Sequence, residues 1–145
     1  QLPYTRTVFE ETLRLYPPAP VIPRSVLQDT ELGGYALPKG SRVMISAYQI
    51  HRHRDFWPNP NHFDPDRFLP ANQDQQRHRA AYMPFGLGPR VCIGNHFALM
   101  EGQLLLAQIA QRYDLKMLPG HKVEKEVAVT MRPKYGMLMT LTPRH

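Results

Sequence analysis

Residues 51–84 constrain the fold of this chain more than any other stretch. Five prolines fall within it, Pro58, Pro60, Pro65, Pro70 and Pro84, interleaved with asparagines and aspartates. Proline lacks a backbone N–H, so helices or interior strands of ordinary length do not survive that spacing. Loops this long inside compact domains are either functional or disordered. Phe56, Trp57, Phe63 and Phe68 oppose disorder, because disordered segments are poor in aromatics. The stretch reads as an ordered coil on the surface of a domain.

The flanks are more regular. Pro3 suits the first turn of a helix, and Val8, Thr12 and Leu15 share one of its faces. Glu11 and Arg14 stand three apart on that helix, which Pro17-Pro18 must end. Residues 22–27 read as extended. Gly33-Gly34 and Pro38-Lys39-Gly40 read as turns around strands at 35–37 and 42–46, making a small antiparallel sheet. The strongest helix is expected at 95–112. Its stripe of Phe97, Met100, Leu104, Ala107 and Ala110, widened by Leu105 and Ile109, predicts deep burial. Strands at 127–131 and 137–141 around residues 132–136 read as a closing hairpin. The class is mainly α with small antiparallel β-sheets. The chain opens without a methionine and enters a helix at once. The expectation is therefore one partial domain over 1–145, the C-terminal piece of something longer.

The 145 residues carry a net charge of +6. Arg52, Arg54, Arg67, Arg77, Arg79 and Arg90 are spread out and form no dense run. This argues against nucleic acid and suits an acidic protein partner. A single cysteine excludes an internal disulfide and every site built from several thiolates. No run approaches the ~20 apolar residues of a membrane span, and no signal peptide is visible. Localisation stays open, between soluble and membrane-anchored forms, because the start of the protein is expected to lie elsewhere.

That cysteine, Cys92, lies in Phe85-Gly86-Leu87-Gly88-Pro89-Arg90-Val91-Cys92-Ile93-Gly94. A helix is expected just after it, and a helix N-terminus favours a thiolate. Gly94 lets a planar ligand approach the backbone, Arg90 can hold a carboxylate through its fork, and Phe85 can shield the sulfur. A nucleophilic cysteine is the rival reading and needs a histidine base, for which His96 is nearest in sequence. Thiolate ligation of haem iron accounts for more of the pattern.

Phe85, Gly88, Arg90, Cys92 and Gly94 match every fixed position of the F-x-x-G-x-R-x-C-x-G haem-binding loop of the cytochrome P-450 family. Glu11-Thr12-Leu13-Arg14 matches its E-x-x-R helix motif. Pro65-Asp66-Arg67-Phe68 resembles its P-E-R-F motif, with aspartate for glutamate. The three occur in family order across essentially the whole chain, which thus resembles the C-terminal portion of that fold.

The resemblance implies haem b held by Cys92 as the thiolate and metal ligand. Phe85, Gly88 and Gly94 would belong to the cofactor loop, with Arg90 and Arg24 on the two propionates. Glu11, Arg14 and Arg67 would form a structural charge triad locking the coil to the first helix. Ala19, Val21, Ile22, Val129 and Thr130 resemble substrate-contact positions, while Trp57 reads as packing. The implied activity is a monooxygenase that inserts one atom of O2 into a lipophilic molecule. Leu15-Tyr16-Pro17-Pro18 resembles the fatty-acid and alkane hydroxylating branches. Electrons would come from NAD(P)H through a ferredoxin-like, flavodoxin-like or flavoprotein-reductase donor, docking near Arg79, Arg90 and His96. The alternatives are a haem-thiolate protein without oxygenase activity (peroxide-using, isomerising or gas-binding) or a non-catalytic fragment. The family's distal oxygen-activating helix is not in this sequence, so these residues alone are expected to turn over substrate poorly.

Overall fold

The computed structural model describes residues 2–72 and 78–144. Residues 73–77 of the expected coil, Arg77 among them, lie outside the described residues.

Helix α1 spans Pro3–Leu15, with its proline in the first turn. The Tyr16 N–H closes on the Thr12 carbonyl, and Pro17-Pro18 stops propagation. Strand β1 (Ile22–Ser25) pairs antiparallel with β4 (Arg42–Ile45), Ile22 opposite Ile45. Strand β2 (Thr30–Leu32) pairs with β3 (Tyr35–Leu37). The expected single sheet is thus two separate ladders, and β3 and β4 do not pair. Gly33 and Gly34 both have positive φ, 59° and 83°, the geometry that joins the strands directly flanking a tight turn. The turn at Gly40 instead folds back on β1, its N–H donating to the Val26 carbonyl.

The short helix α2 (Ala47–Ile50) leads into the coil. Single 3-10 turns follow at Pro65–Phe68, Arg79–Ala81 and Gly88–Arg90. Helix α3 spans Asn95–Arg112. Strand β5 (Tyr113–Met117) pairs with β8 (Met139–Pro143), and β6 (Lys125–Val127) with β7 (Met131–Pro133). The expected closing hairpin is therefore wrong in its pairing. The tight turn falls at 128–130, where the Ala128 N–H donates to the Thr130 carbonyl. The last strand finds its apolar match in β5, with Leu115 opposite Leu141 and Met117 opposite Met139.

The core lies between α1 and the coil: Leu13, Leu15, Ala47, Trp57, Phe68, Ala81 and Met83 are buried. Four polar residues are buried with them, Thr7, Glu11, Arg14 and His51. Trp57 is fully buried. Its indole N–H donates to the Ala81 carbonyl at 3.1 Å, and the Arg14 guanidinium lies 5.0 Å from its ring. The proline-rich coil is thus pinned by an aromatic anchor, as its composition suggested.

The deep burial expected of α3 is not found. No residue of α3 is buried, and Phe97 is 62% and Met100 54% exposed. An amphipathic pattern specifies an apolar face but not the element that covers it. Here α1 approaches closely at Gly102, where an added Cβ would lie 2.4 Å from the Phe9 ring. The whole chain exposes 11038 Å². A compact monomer of 16.8 kDa exposes only about 7,700 Å², so large apolar faces are unpartnered within it. Among the described residues no helix is long and apolar enough to cross a membrane.

Candidate functional site

The cysteine loop is fixed by its own backbone. Gly86 and Gly88 adopt φ of 76° and 73°, a region that excludes most side chains. The Gly86 N–H donates to the Met83 carbonyl, the Val91 N–H to Gly88, and the Cys92 N–H to Phe85 at 2.9 Å. This knot leaves the Cys92 side chain exposed. Gly94 is the N-cap of α3, so Cys92 stands two residues ahead of the cap rather than in the first turn. A Cβ on Gly94 would rest against the sulfur at 3.9 Å.

The sulfur faces a cleft of about 370 Å³. Pro18, Ala19, Ile22, Pro84 and Phe85 make its apolar walls, Gly86 approaches by backbone, and Arg24 and Arg90 reach it with charge. Arg24 sits on β1, where its Nη1 donates to the neighbouring Pro23 carbonyl at 2.9 Å. Among the described residues neither arginine is ion-paired. A sulfur, two unpaired guanidiniums and apolar walls suit a flat apolar ligand bearing a metal and two carboxylates. The residues present therefore fit haem. Among the described residues no cluster of three or more His, Cys, Asp and Glu could hold a metal ion by itself.

A buried charge cluster lies between α1 and the coil. Arg14 forks onto Glu11, Nε to Oε2 at 2.6 Å and Nη2 to Oε1 at 2.8 Å. Arg67 Nε lies 3.5 Å from Glu11 Oε1, and the Asp64 N–H donates to that same oxygen at 2.8 Å. Glu11 thus gathers α1 and the 3-10 turn of the coil. Asp66 contributes an N–H, capped by Asp64 Oδ1 at 3.2 Å, and its side chain makes no ion pair among the described residues.

The substrate-contact candidates divide. Ala19 and Ile22 line the Cys92 cleft. Val21 lines a neighbouring hollow with Val127 and Met131. Thr130 is exposed and Val129 is 95% exposed, at the tip of the β6–β7 turn, outside the cleft lining. The Met131 N–H, which donates to the Pro18 carbonyl at 2.8 Å, anchors that turn beside the cleft wall. Sequence reasoning missed Pro18, Pro84 and Gly86 as lining residues. It also missed His51, whose full burial beneath the loop has no local sequence signal. Burial pushes His51 down to about 4.

The cytochrome P-450 family model matches residues 1–140. The chain belongs to the cytochrome P-450 family. It is 43% identical over 143 residues to cyclooctatin synthase of Streptomyces melanosporofaciens, covering 99% of this chain and 29% of that relative. It is 40% identical to human cytochrome P-450 4V2 over 148 residues, covering 100% of this chain and 28% of that relative. Among solved structures, a cyanobacterial cytochrome P-450 with retinoic acid bound superposes with a TM-score of 0.90 at 36% identity, over 98% of this chain and 33% of its own. A second P-450, solved as a haem domain, gives a TM-score of 0.89 at 34% identity, over 97% of this chain and 31% of its own. The chain thus spans under a third of the relatives it matches. Cytochromes P-450 are haem-binding oxidoreductases, and the observed helices with small antiparallel ladders are part of that fold.

Proposed function

We propose that this chain supplies the cysteine-bearing half of the haem site in a haem-thiolate monooxygenase. The enzyme would insert one atom of O2 into a lipophilic substrate of the fatty-acid or alkane class. The observation that carries the reading is the convergence of Cys92, Arg24 and Arg90 on one apolar cleft. Haem b, when bound, supplies the oxygen-activating chemistry, using electrons from NAD(P)H relayed by a ferredoxin-like, flavodoxin-like or flavoprotein-reductase partner.

The chain's own residues have separable tasks. Cys92 would hold the haem iron, and a thiolate in that position would donate electron density to it. Phe85 and Pro84 give the sulfur's side of the cleft an apolar wall. Arg24 and Arg90 each offer a planar fork to one carboxylate, fixing the ligand's rotation about the sulfur. Ala19 and Ile22 give the substrate side an apolar wall. Positive charge at Arg79 and Arg90 suits an acidic electron donor. The excess apolar surface, including the α3 stripe, suits coverage by protein outside this sequence.

Two measurements test this reading. Apoprotein titrated with haem should saturate at one equivalent. Replacing Arg24 and Arg90 together with alanine should weaken binding at least tenfold, since charge-assisted hydrogen bonds are each worth about 1.5–3 kcal/mol. In the complete enzyme of which this chain would be the cysteine-bearing half, a reductase system and a fatty acid under 18O2 should yield product carrying one labelled oxygen atom. Unlabelled product, or haem affinity indifferent to both arginines, contradicts the proposal.

A further inference from the structure

We propose that His51, as a neutral imidazole protonated on Nδ1, is a positioning residue that sets where the cysteine loop begins. The inference rests on the reading of Cys92 as a haem thiolate. His51 is fully buried. Its Nδ1 lies 3.1 Å from the Arg14 carbonyl, and the Met83 N–H donates to its Nε2 at 2.8 Å. A carbonyl only accepts and an amide N–H only donates, so the network assigns the proton to Nδ1 and leaves Nε2 bare.

The bond falls at a critical place. Each residue of 81–83 is tied to a different part of the fold. The Ala81 carbonyl accepts from Trp57, the Tyr82 hydroxyl donates to the Glu10 carbonyl at 3.0 Å, and Met83 is held by His51. Met83 is the tether nearest the loop. Its carbonyl accepts from Gly86, and Phe85, two residues on, accepts from Cys92. A short hydrogen-bonded column therefore runs from the Arg14 backbone through His51 to the turn that presents the sulfur. Without an acceptor at Nε2, the buried Met83 N–H is left unpaired, and the loop loses its fixed starting point.

Two substitutions separate the ring nitrogens. In His51→Asn the side-chain amide still donates to Arg14 but leaves Met83 without an acceptor. In His51→Gln the carbonyl replaces Nε2 towards Met83. The readout is the ferrous–CO absorption of the haem-loaded protein, in which thiolate-bound haem gives a red-shifted Soret band and neutral or displaced sulfur a band at shorter wavelength. The expected result is a roughly tenfold fall in the thiolate-to-neutral ratio for His51→Asn, with His51→Gln close to the unsubstituted protein. Equal ratios in all three proteins, or a larger fall for glutamine, overturn the inference and leave the haem-thiolate reading standing. Absence of the red-shifted band from the unsubstituted protein removes both. Should His51→Asn fail to fold, amide exchange in the unsubstituted protein decides. Met83 exchange as slow as the middle of α1 supports the tether, and exchange at the rate of an exposed loop overturns it.

Discussion

Replacing Arg14 with lysine tests the buried charge cluster while keeping the charge. Arg14 is fully buried, and all five of its N–H groups are used. Nε and one hydrogen of Nη2 serve Glu11. The other hydrogen of Nη2 reaches the His62 carbonyl at 3.1 Å. Nη1 donates to the His51 and Pro60 carbonyls, both at 2.7 Å. Lysine has three donors on one atom and cannot span acceptors spread round a planar fork. At least two charge-assisted bonds are lost, each worth about 1.5–3 kcal/mol. The Pro60 and His62 bonds are only part-buried, so water replaces part of the loss and the expected cost is about 3–5 kcal/mol. That is a large share of the ~5–15 kcal/mol that holds a domain folded. At this size it lowers Tm by about 10–15 °C. The control is Arg6→Lys, in an i,i+4 pair with Glu10 whose arginine is half exposed and makes one 3.4 Å contact, where the change should stay within about 1 kcal/mol. Scanning calorimetry of both variants gives the answer. A Tm for Arg14→Lys no lower than that for Arg6→Lys refutes the hydrogen-bond accounting.

Two other perturbations follow from the packing and from the buried imidazole. Gly102→Ala gains about 1 kcal/mol of helix propensity but drives a methyl into the Phe9 ring, an overpacking cost of about 1–3 kcal/mol. It should be neutral to destabilising alone and stabilising in a Phe9→Ala background, and chemical denaturation of the four proteins measures that sign reversal. For His51 the folded value near 4 lies below the ordinary 6.5, so the unfolded chain binds the extra proton first. Stability therefore falls as pH drops from about 6.5 towards 4, by at most about 3 kcal/mol in all. Burial is the main cause, with the Arg14 and Arg52 guanidiniums adding to it and the Tyr82 ring packed at 5.4 Å. The difference in unfolding free energy between the unsubstituted protein and His51→Gln, followed from pH 7 to about 4.5, should narrow steadily as pH drops. A difference that stays constant contradicts the assignment.

What the sequence disclosed was whatever depends on neighbours in the chain. Pro3 and Pro17-Pro18 bracket α1 because proline acts on its own backbone. Gly33-Gly34 marks a turn because positive φ is a local requirement. The Cys92 loop is legible because two tight backbone reversals and a nearby arginine must be written within ten residues. Glu11 and Arg14 meet by helical spacing, and Arg67 was reached only through the family resemblance. What stayed hidden depends on partners far away. The stripe on α3 announced an apolar face but could not say that α1 covers so little of it. Strand β5 follows α3 without a break; the expected helix ended at Arg112 as observed, but no strand was expected in the five residues after it. Its pairing with β8 reflects competition between two distant apolar strands. His51 lies in a run of polar residues near His53 and Arg54, and nothing local distinguishes the imidazole that is sealed inside from the one at the surface.

The most direct test of the account is the ferrous–CO spectrum of the haem-loaded protein before and after Cys92→Ala. The account predicts a red-shifted Soret band with the cysteine present and its complete loss with alanine, even where haem is still retained by Arg24 and Arg90. A red-shifted band that persists in Cys92→Ala would contradict the assignment of the sulfur as the iron's ligand, and with it the proposed function.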